Sequence, residues 1–103
     1  LNNVSNCEFI KGDVKDIINK PISNHKNPDS IIVDPPRNGL DKSVVHSLIK
    51  LSPDKIIYVS CNSSTQARDI IDLKEIYELK TSQAIDMFPQ TYHVENVVLL
   101  EKI

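Results

Sequence analysis

Ser30-Ile31-Ile32-Val33-Asp34-Pro35-Pro36-Arg37 and, one helix further on, Lys55-Ile56-Ile57-Tyr58-Val59-Ser60-Cys61-Asn62 decide the architecture. Each opens on an apolar, largely β-branched run, the pattern of a strand covered on both faces, and each stops at polar residues. In the first, the stop has a backbone cause: proline has no N–H to give to a ladder, so the chain leaves the sheet at Asp34. Between the two runs, Asp41 is placed to cap a helix whose Val44, Val45, Leu48, Ile49 and Leu51 form an apolar stripe, closed by Ser52-Pro53. After the second, Ser63 or Ser64 is placed to cap another helix, with Ala67, Ile70, Ile71 and Leu73 as its apolar positions.

Upstream, Glu8–Ile10 reads as a short strand closed by Lys11-Gly12-Asp13, and Val14, Ile17 and Ile18 recur at helical spacing up to Lys20. Pro21–Pro28 has no periodicity and reads as a loop. Downstream, Tyr77–Lys80 and Ser82–Met87 read as strand material around a turn, and Val94–Lys102 as the last strand. The Phe88–Tyr92 connection is too short for a parallel crossover, so the last strand should run antiparallel to its predecessor. The expectation is an α/β sheet, mostly parallel, with right-handed crossovers, helices on both faces and an antiparallel C-terminal hairpin.

The 103 residues, 40% hydrophobic and 25% charged, fit one small soluble domain. Twelve basic against fourteen acidic residues give a formal charge of −2, so net charge does not advertise a polyanion partner. The apolar runs Ile31–Val33 and Val97–Leu100 are far too short to cross a bilayer, and no basic-then-apolar leader opens the chain, which reads as cytoplasmic. In that compartment Cys7 and Cys61 are expected as free thiols. His25, His46 and His93 are scattered among different elements, so no metal site is expected. The chain opens at Leu1 and enters a strand pattern almost at once, as if it started in the middle of a larger fold.

In open α/β sheets, ligands sit beyond the carboxyl ends of the parallel strands, where this chain places Asp34-Pro35-Pro36-Arg37 and Ser60-Cys61-Asn62. An antiparallel last strand returns its beginning, with His93 and Glu95, to the same edge, so Asp34, Cys61 and Glu95 are expected to converge. Each has two readings. Cys61 is a small core hydrophobe, or a nucleophile at a strand end shortly before a helix N-terminus, a setting that favours thiolates in general. Asp34 is a strand stop, or a carboxylate on a rigid diproline shelf facing a planar ligand. Glu95 is an exposed strand-end charge, or a base beside the cysteine. His93 is a rim residue or a second proton carrier. Asp13 is a turn residue, or an acceptor for a ligand amine. Arg37 is a solvated charge or a phosphate contact.

Taken together, Asp34-Pro35-Pro36-Arg37-Asn38-Gly39-Leu40, Tyr58-Val59-Ser60-Cys61-Asn62 and Asp86-Met87-Phe88-Pro89-Gln90-Thr91-Tyr92-His93-Val94-Glu95 resemble, in order and spacing, the RNA uracil-C5 methyltransferase family. Phe9-Ile10-Lys11-Gly12-Asp13 resembles the segment of that family that reaches the cofactor. The resemblance implies a Rossmann-like methyltransferase sheet of order 3-2-1-4-5-7-6. Residues 1–103 would be the C-terminal part of that catalytic domain, with strands 1 and 2 and the glycine-containing cofactor loop missing.

It further implies methyl transfer from S-adenosylmethionine to carbon 5 of a uridine in rRNA or tRNA, through a covalent adduct of Cys61, with Glu95 as base. Asp13 and Asp34 correspond to positions contacting the cofactor or the target base, and Asp34, Arg37, Asn62 and His93 are the candidate substrate-binding residues. The isolated fragment is expected to be inactive and able to self-associate through its open sheet edge. Two other readings stand beside this one: an amino-methyltransferase acting through the Asp-Pro-Pro motif, which needs no cysteine, and a non-catalytic module that docks RNA or a partner.

Overall fold

The two apolar runs form neighbouring strands: β1, Ser30–Val33, and β2, Lys55–Ser60, pair in parallel from Ser30↔Lys55 to Val33↔Tyr58. The computed structural model describes residues 6–7, 9–18, 28–86 and 94–103. A one-turn helix α1, Val14–Ile17, precedes β1; α2, Lys42–Leu51, joins β1 to β2; α3, Ser63–Leu73, follows β2. The chain ends in an antiparallel pair, β3, Tyr77–Ile85, and β4, Glu95–Lys102. β4 also pairs antiparallel with β2, so the sheet order is β1-β2-β4-β3. This matches the last four strands, 4-5-7-6, of the order implied above.

Several expectations are corrected. Cys7, Phe9 and Ile10 form no strand, and Phe9 is 91% exposed. A strand needs a ladder partner, and none of the described strands takes these residues on. The first helix is described only to Ile17, residues 19–27 lying outside the described set. β3 is one strand without the turn placed near Lys80; the irregularity there is a register shift between Leu79 and Thr81, one extra residue absorbed as a bulge. Met87 and the 88–92 connection lie outside the described residues.

The helices do not sandwich the sheet among the described residues. Ile31 and Val33 of β1, Ile56 and Tyr58 of β2, and Val98 and Leu100 of β4 pack with Val44, Val45 and Leu48 of α2 and Leu73 of α3 in one core. Strand alternation therefore sends the intervening residues to the other face, where Ile57, Val59, Val97 and Leu99 are half-buried and Ile32 is 69% exposed.

α3 is turned relative to the expected stripe. Ala67 and Ile71 are exposed, and the buried positions are Gln66, Asp69 and Leu73. What turns it is hydrogen bonding. Asp69 is 1% exposed, and its carboxylate accepts from the Tyr58 hydroxyl at 2.6 Å and the Leu40 amide at 2.8 Å through Oδ2, and from Arg68 Nε and Nη2 at 3.1 and 3.0 Å through Oδ1. Arg68 Nη2 also donates to the Asn38 carbonyl at 2.9 Å. A buried carboxylate is tolerated only when so satisfied. The same network grips the loop after β1, where Gly39 has φ 82 and a Cβ would lie 2.6 Å from Arg68 Nη2 and 2.8 Å from Asp69 Oδ2.

The α3 cap is Asn62, one residue before the serines expected to serve; its side chain accepts from the Ser64 amide at 3.1 Å. Asp41 holds the cap position of α2 with extended backbone but makes no side-chain capping bond.

Two outcomes are expected. Gly39→Ala forces a positive-φ side chain into the Arg68–Asp69 pair and should lower stability by about 1–3 kcal/mol, read by chemical denaturation. Burial first, and the bond to Asp69 second, raise the Tyr58 hydroxyl well above its ordinary value of 10.0. Because the folded value exceeds the unfolded one, this contribution is complete below pH 10.0 and is lost as pH climbs beyond it. Tyr58→Phe should cost about 1–2 kcal/mol near neutral pH and flatten the alkaline fall in stability. The part due to Tyr77, which burial also raises, should remain.

Candidate active site

The β2 ladder ends at the rung Ser60↔Asn96, and extending the register by one position sets Cys61 across from Glu95. Glu95 continues the face of Val97, opposite to the helices, and Cys61 is the first residue beyond β2. The turn that ends β2 is held by Ser60, whose Oγ, buried with the side chain, accepts from the Asn62 amide at 2.9 Å and donates to the Asn62 carbonyl at 2.8 Å. Cys61 is half-buried at the apex of this turn, and its thiol is free, as is that of exposed Cys7. Glu95 is half-buried on β4, paired to Ile85 of β3. Its Oε2 is buried and has no hydrogen-bond partner among the described residues.

The loop after β1 is tied to this turn. The Arg37 carbonyl accepts from Asn62 Nδ2 at 3.0 Å and from Thr65 Oγ1 at 2.9 Å. Asn62 therefore uses its carbonyl to cap α3 and its amide to hold the Arg37 backbone. The Arg37 side chain is exposed, as is Asp34, with Pro35 half-buried between Asp34 and Pro36.

A cavity of about 730 Å³ runs along the β1 edge, between α1 and the loop after β1. Asp13, Asp34, Pro35, Pro36, Leu40 and Arg68 are among its lining residues; Cys61, Glu95 and Arg37 are not. Asp13 also caps α1, accepting from the Lys15 amide at 3.3 Å. So the two residues expected at the cofactor share one hollow, and the cysteine and the glutamate share an adjoining sheet end. His93 lies outside the described residues. Among the described residues no group of three or more His, Cys, Asp or Glu side chains could hold a metal ion, and no helix is long and apolar enough to cross a membrane.

Sequence reasoning missed Gln66, Asp69 and Asn96. Gln66 Nε2 donates to the Tyr58 carbonyl at 3.0 Å and the Asn96 carbonyl at 3.1 Å, and its Oε1 accepts from Asn96 Nδ2 at 2.7 Å. The one signal that pointed to Gln66 and Asp69 is that an α3 stripe through residues 66, 69, 70 and 73 keeps helical spacing as well as the apolar one does; nothing in the sequence pointed to Asn96.

A family model for tRNA (uracil-5-)-methyltransferase matches residues 14–103. A protein of Bacteroides thetaiotaomicron named as an uncharacterized RNA methyltransferase is 49% identical over 102 residues, 98% of this chain and 22% of its own length. One of the same name from Enterococcus faecalis is 48% identical over 103 residues, 99% of this chain and again 22% of its length. The crystal structure of Pyrococcus abyssi tRNA (uracil-54, C5)-methyltransferase in complex with S-adenosyl-L-homocysteine superposes with a TM-score of 0.64 at 49% identity, over 70% of this chain and 18% of that one. The chain thus spans about a fifth of the length of these relatives. With its motifs, its strand order and a family match over all but the first thirteen residues in agreement, the chain belongs to the tRNA (uracil-5-)-methyltransferase family.

Proposed function

We propose that these residues are the C-terminal part of the catalytic domain of an S-adenosylmethionine-dependent RNA uracil-C5 methyltransferase, with Cys61 as nucleophile and Glu95 as base. What supports this reading is the β2–β4 register, which extended by one position from Ser60↔Asn96 sets Cys61 across from Glu95, together with the buried Oε2 of that glutamate, which has no hydrogen-bond partner among the described residues. A buried carboxylate oxygen without a donor among the described residues is costly to keep, and a strand position across from a free half-buried thiol suits a proton acceptor. The amino-methyltransferase reading gives neither residue a task, and a docking module gives no reason to bury the carboxylate oxygen.

Carbon 5 of uracil is too weak a nucleophile to be methylated directly, so it is activated covalently. The Cys61 thiolate bonds to carbon 6, and the electrons of the carbon 5–carbon 6 double bond move toward the carbon-4 carbonyl as an enolate. S-adenosylmethionine, when bound, would supply an electrophilic methyl group for carbon 5, its sulfonium sulfur keeping the electrons of the broken bond as a neutral thioether. Glu95 then accepts the proton from carbon 5, the double bond re-forms, and the Cys61 thiolate leaves.

The cofactor fits the hollow by its donor set. Asp13 and Asp34 offer exposed carboxylate acceptors for its amine and hydroxyl groups, and Pro35 and Pro36 a rigid apolar shelf. Asp34, Arg37 and His93 are proposed to contact the RNA. Asn62 joins them through the Arg37 backbone it holds, since both ends of its amide are engaged by the protein. The base must be presented unstacked to reach a thiol at a strand end.

Strands 1 and 2 and the cofactor loop would come from the remaining length of the full protein, alongside β1, whose outer edge takes no partner among the described strands. The 103 residues alone are proposed to be inactive and able to self-associate through that edge. Transfer RNA is the first substrate to test, because the family and the solved relative are named for it; ribosomal RNA is the second.

In the full-length protein, Cys61→Ala should abolish both methylation and the covalent complex with 5-fluorouridine-substituted RNA, seen as a band that survives denaturing gels. Glu95→Gln should still form the adduct with ordinary RNA but release product about 10²–10⁴-fold more slowly. Methylation that survives Cys61→Ala would overturn the reading.

A further inference from the structure

Gln66 is a buried polar residue that neither the apolar core nor the proposed chemistry uses. It is 2% exposed, on the α3 face turned to the strand ends. Its amide touches β2 at the Tyr58 carbonyl and β4 at both the carbonyl and the side chain of Asn96, the residue that follows Glu95. A leucine or methionine would fill the same volume without desolvating an amide, so packing does not call for glutamine here. The bonds do.

The Glu95 oxygen without a partner gives the reason for such a tie. A carboxylate held by its own hydrogen bonds is oriented by them, but Oε2 has none among the described residues, so its place depends on the backbone at 95–96. The β2 and β3 ladders set that backbone in the sheet, and Gln66 ties it at Asn96 to α3. The same helix begins at the Asn62 cap directly after Cys61, so one rigid element carries the turn of the nucleophile and the clamp on the strand of the base.

We infer that Gln66 is a positioning residue for Glu95, and that the Gln66–Asn96 amide pair sets the distance at which the carboxylate meets the carbon-5 proton after Cys61 has bonded to carbon 6. The inference rests on the roles of Cys61 and Glu95 proposed above. It concerns the release step alone: adduct formation needs Cys61 and its turn, which Ser60 and Asn62 hold.

The test uses the full-length protein and bulk RNA tritiated at uracil carbon 5, taken from cells lacking the gene. Gln66→Met keeps the length and apolar volume of the side chain. It should leave the KM for RNA within about twofold while the Cys61–RNA adduct accumulates and tritium release falls about tenfold or more, as a small misplacement of a base does. Release at the normal rate, or a parallel loss of adduct and release, overturns the inference.

Should melting curves show Gln66→Met unfolded, Asn96→Ala, which leaves the Gln66 bonds to both backbone carbonyls in place, should accumulate adduct in the same way to a smaller degree. If it does not, the inference also fails. Glu95→Gln runs alongside. If that variant traps adduct and the Gln66 and Asn96 variants do not, only the clamp is wrong. If Glu95→Gln itself traps none, the base is misassigned and the clamp falls with it.

Discussion

The Asp69 carboxylate joins β2, α3 and the loop after β1 in one buried network. Its four donors come from a buried strand residue, Tyr58, from the loop that leaves β1, at Leu40, and twice from its helical neighbour Arg68. A carboxylate this deep, left with fewer partners, would cost several kcal/mol, about the margin on which a small domain folds. β2, α3 and the Asp34–Leu40 loop are therefore fixed relative to one another by a requirement that all be present at once. Gly39 shows how tightly: the loop passes so close to the Arg68–Asp69 pair that only a residue without a Cβ fits, and its φ of 82 favours glycine for a second reason.

α3 thus has two distinct polar contacts on its inward face. Asp69, toward the middle of the helix, ties the loop after β1 to the core. Gln66, one turn earlier, ties β2 to the start of β4. Asn62 at the cap and Thr65 beside it hold the Arg37 carbonyl. These bonds run from one helix to the loop, the turn and the strand that carry the proposed site residues. This is how short motifs distant in sequence come to act in fixed geometry: the site residues are left exposed or half-buried, and less conspicuous neighbours hold them in place.

The sheet face opposite the helices tells a complementary story. Ile57, Val59, Val97 and Leu99 line it, with Glu95 at its end and Cys61 the first residue beyond β2. The hollow with Asp13 and Asp34 opens along the β1 edge instead. Methyl donor and nucleophile are proposed to approach the base from these two sides.

Much of this was legible in the residues themselves. Two apolar runs ended by Asp34-Pro35-Pro36 and Ser60-Cys61-Asn62 meant strands leaving the sheet at one edge, because proline and turn residues break ladders locally; that they are covered on both faces did not hold, Ile32 being 69% exposed. The antiparallel last strand followed from the shortness of its connection. Three things needed the tertiary structure. Cys7, Phe9 and Ile10 have a strand's composition but no strand, since a ladder depends on a neighbour that local sequence does not name. The helices share one face because β1, β2 and β4 turn alternate residues to α2 and α3 together. α3 buries Gln66 and Asp69 in place of Ala67 and Ile71. Periodicity counts apolar side chains, whereas these two are drawn inward by donors and acceptors 8 to 30 residues away in the chain. Local sequence determined where the strands stop and which motifs they carry; long-range hydrogen bonding decided how the parts that hold those motifs are turned.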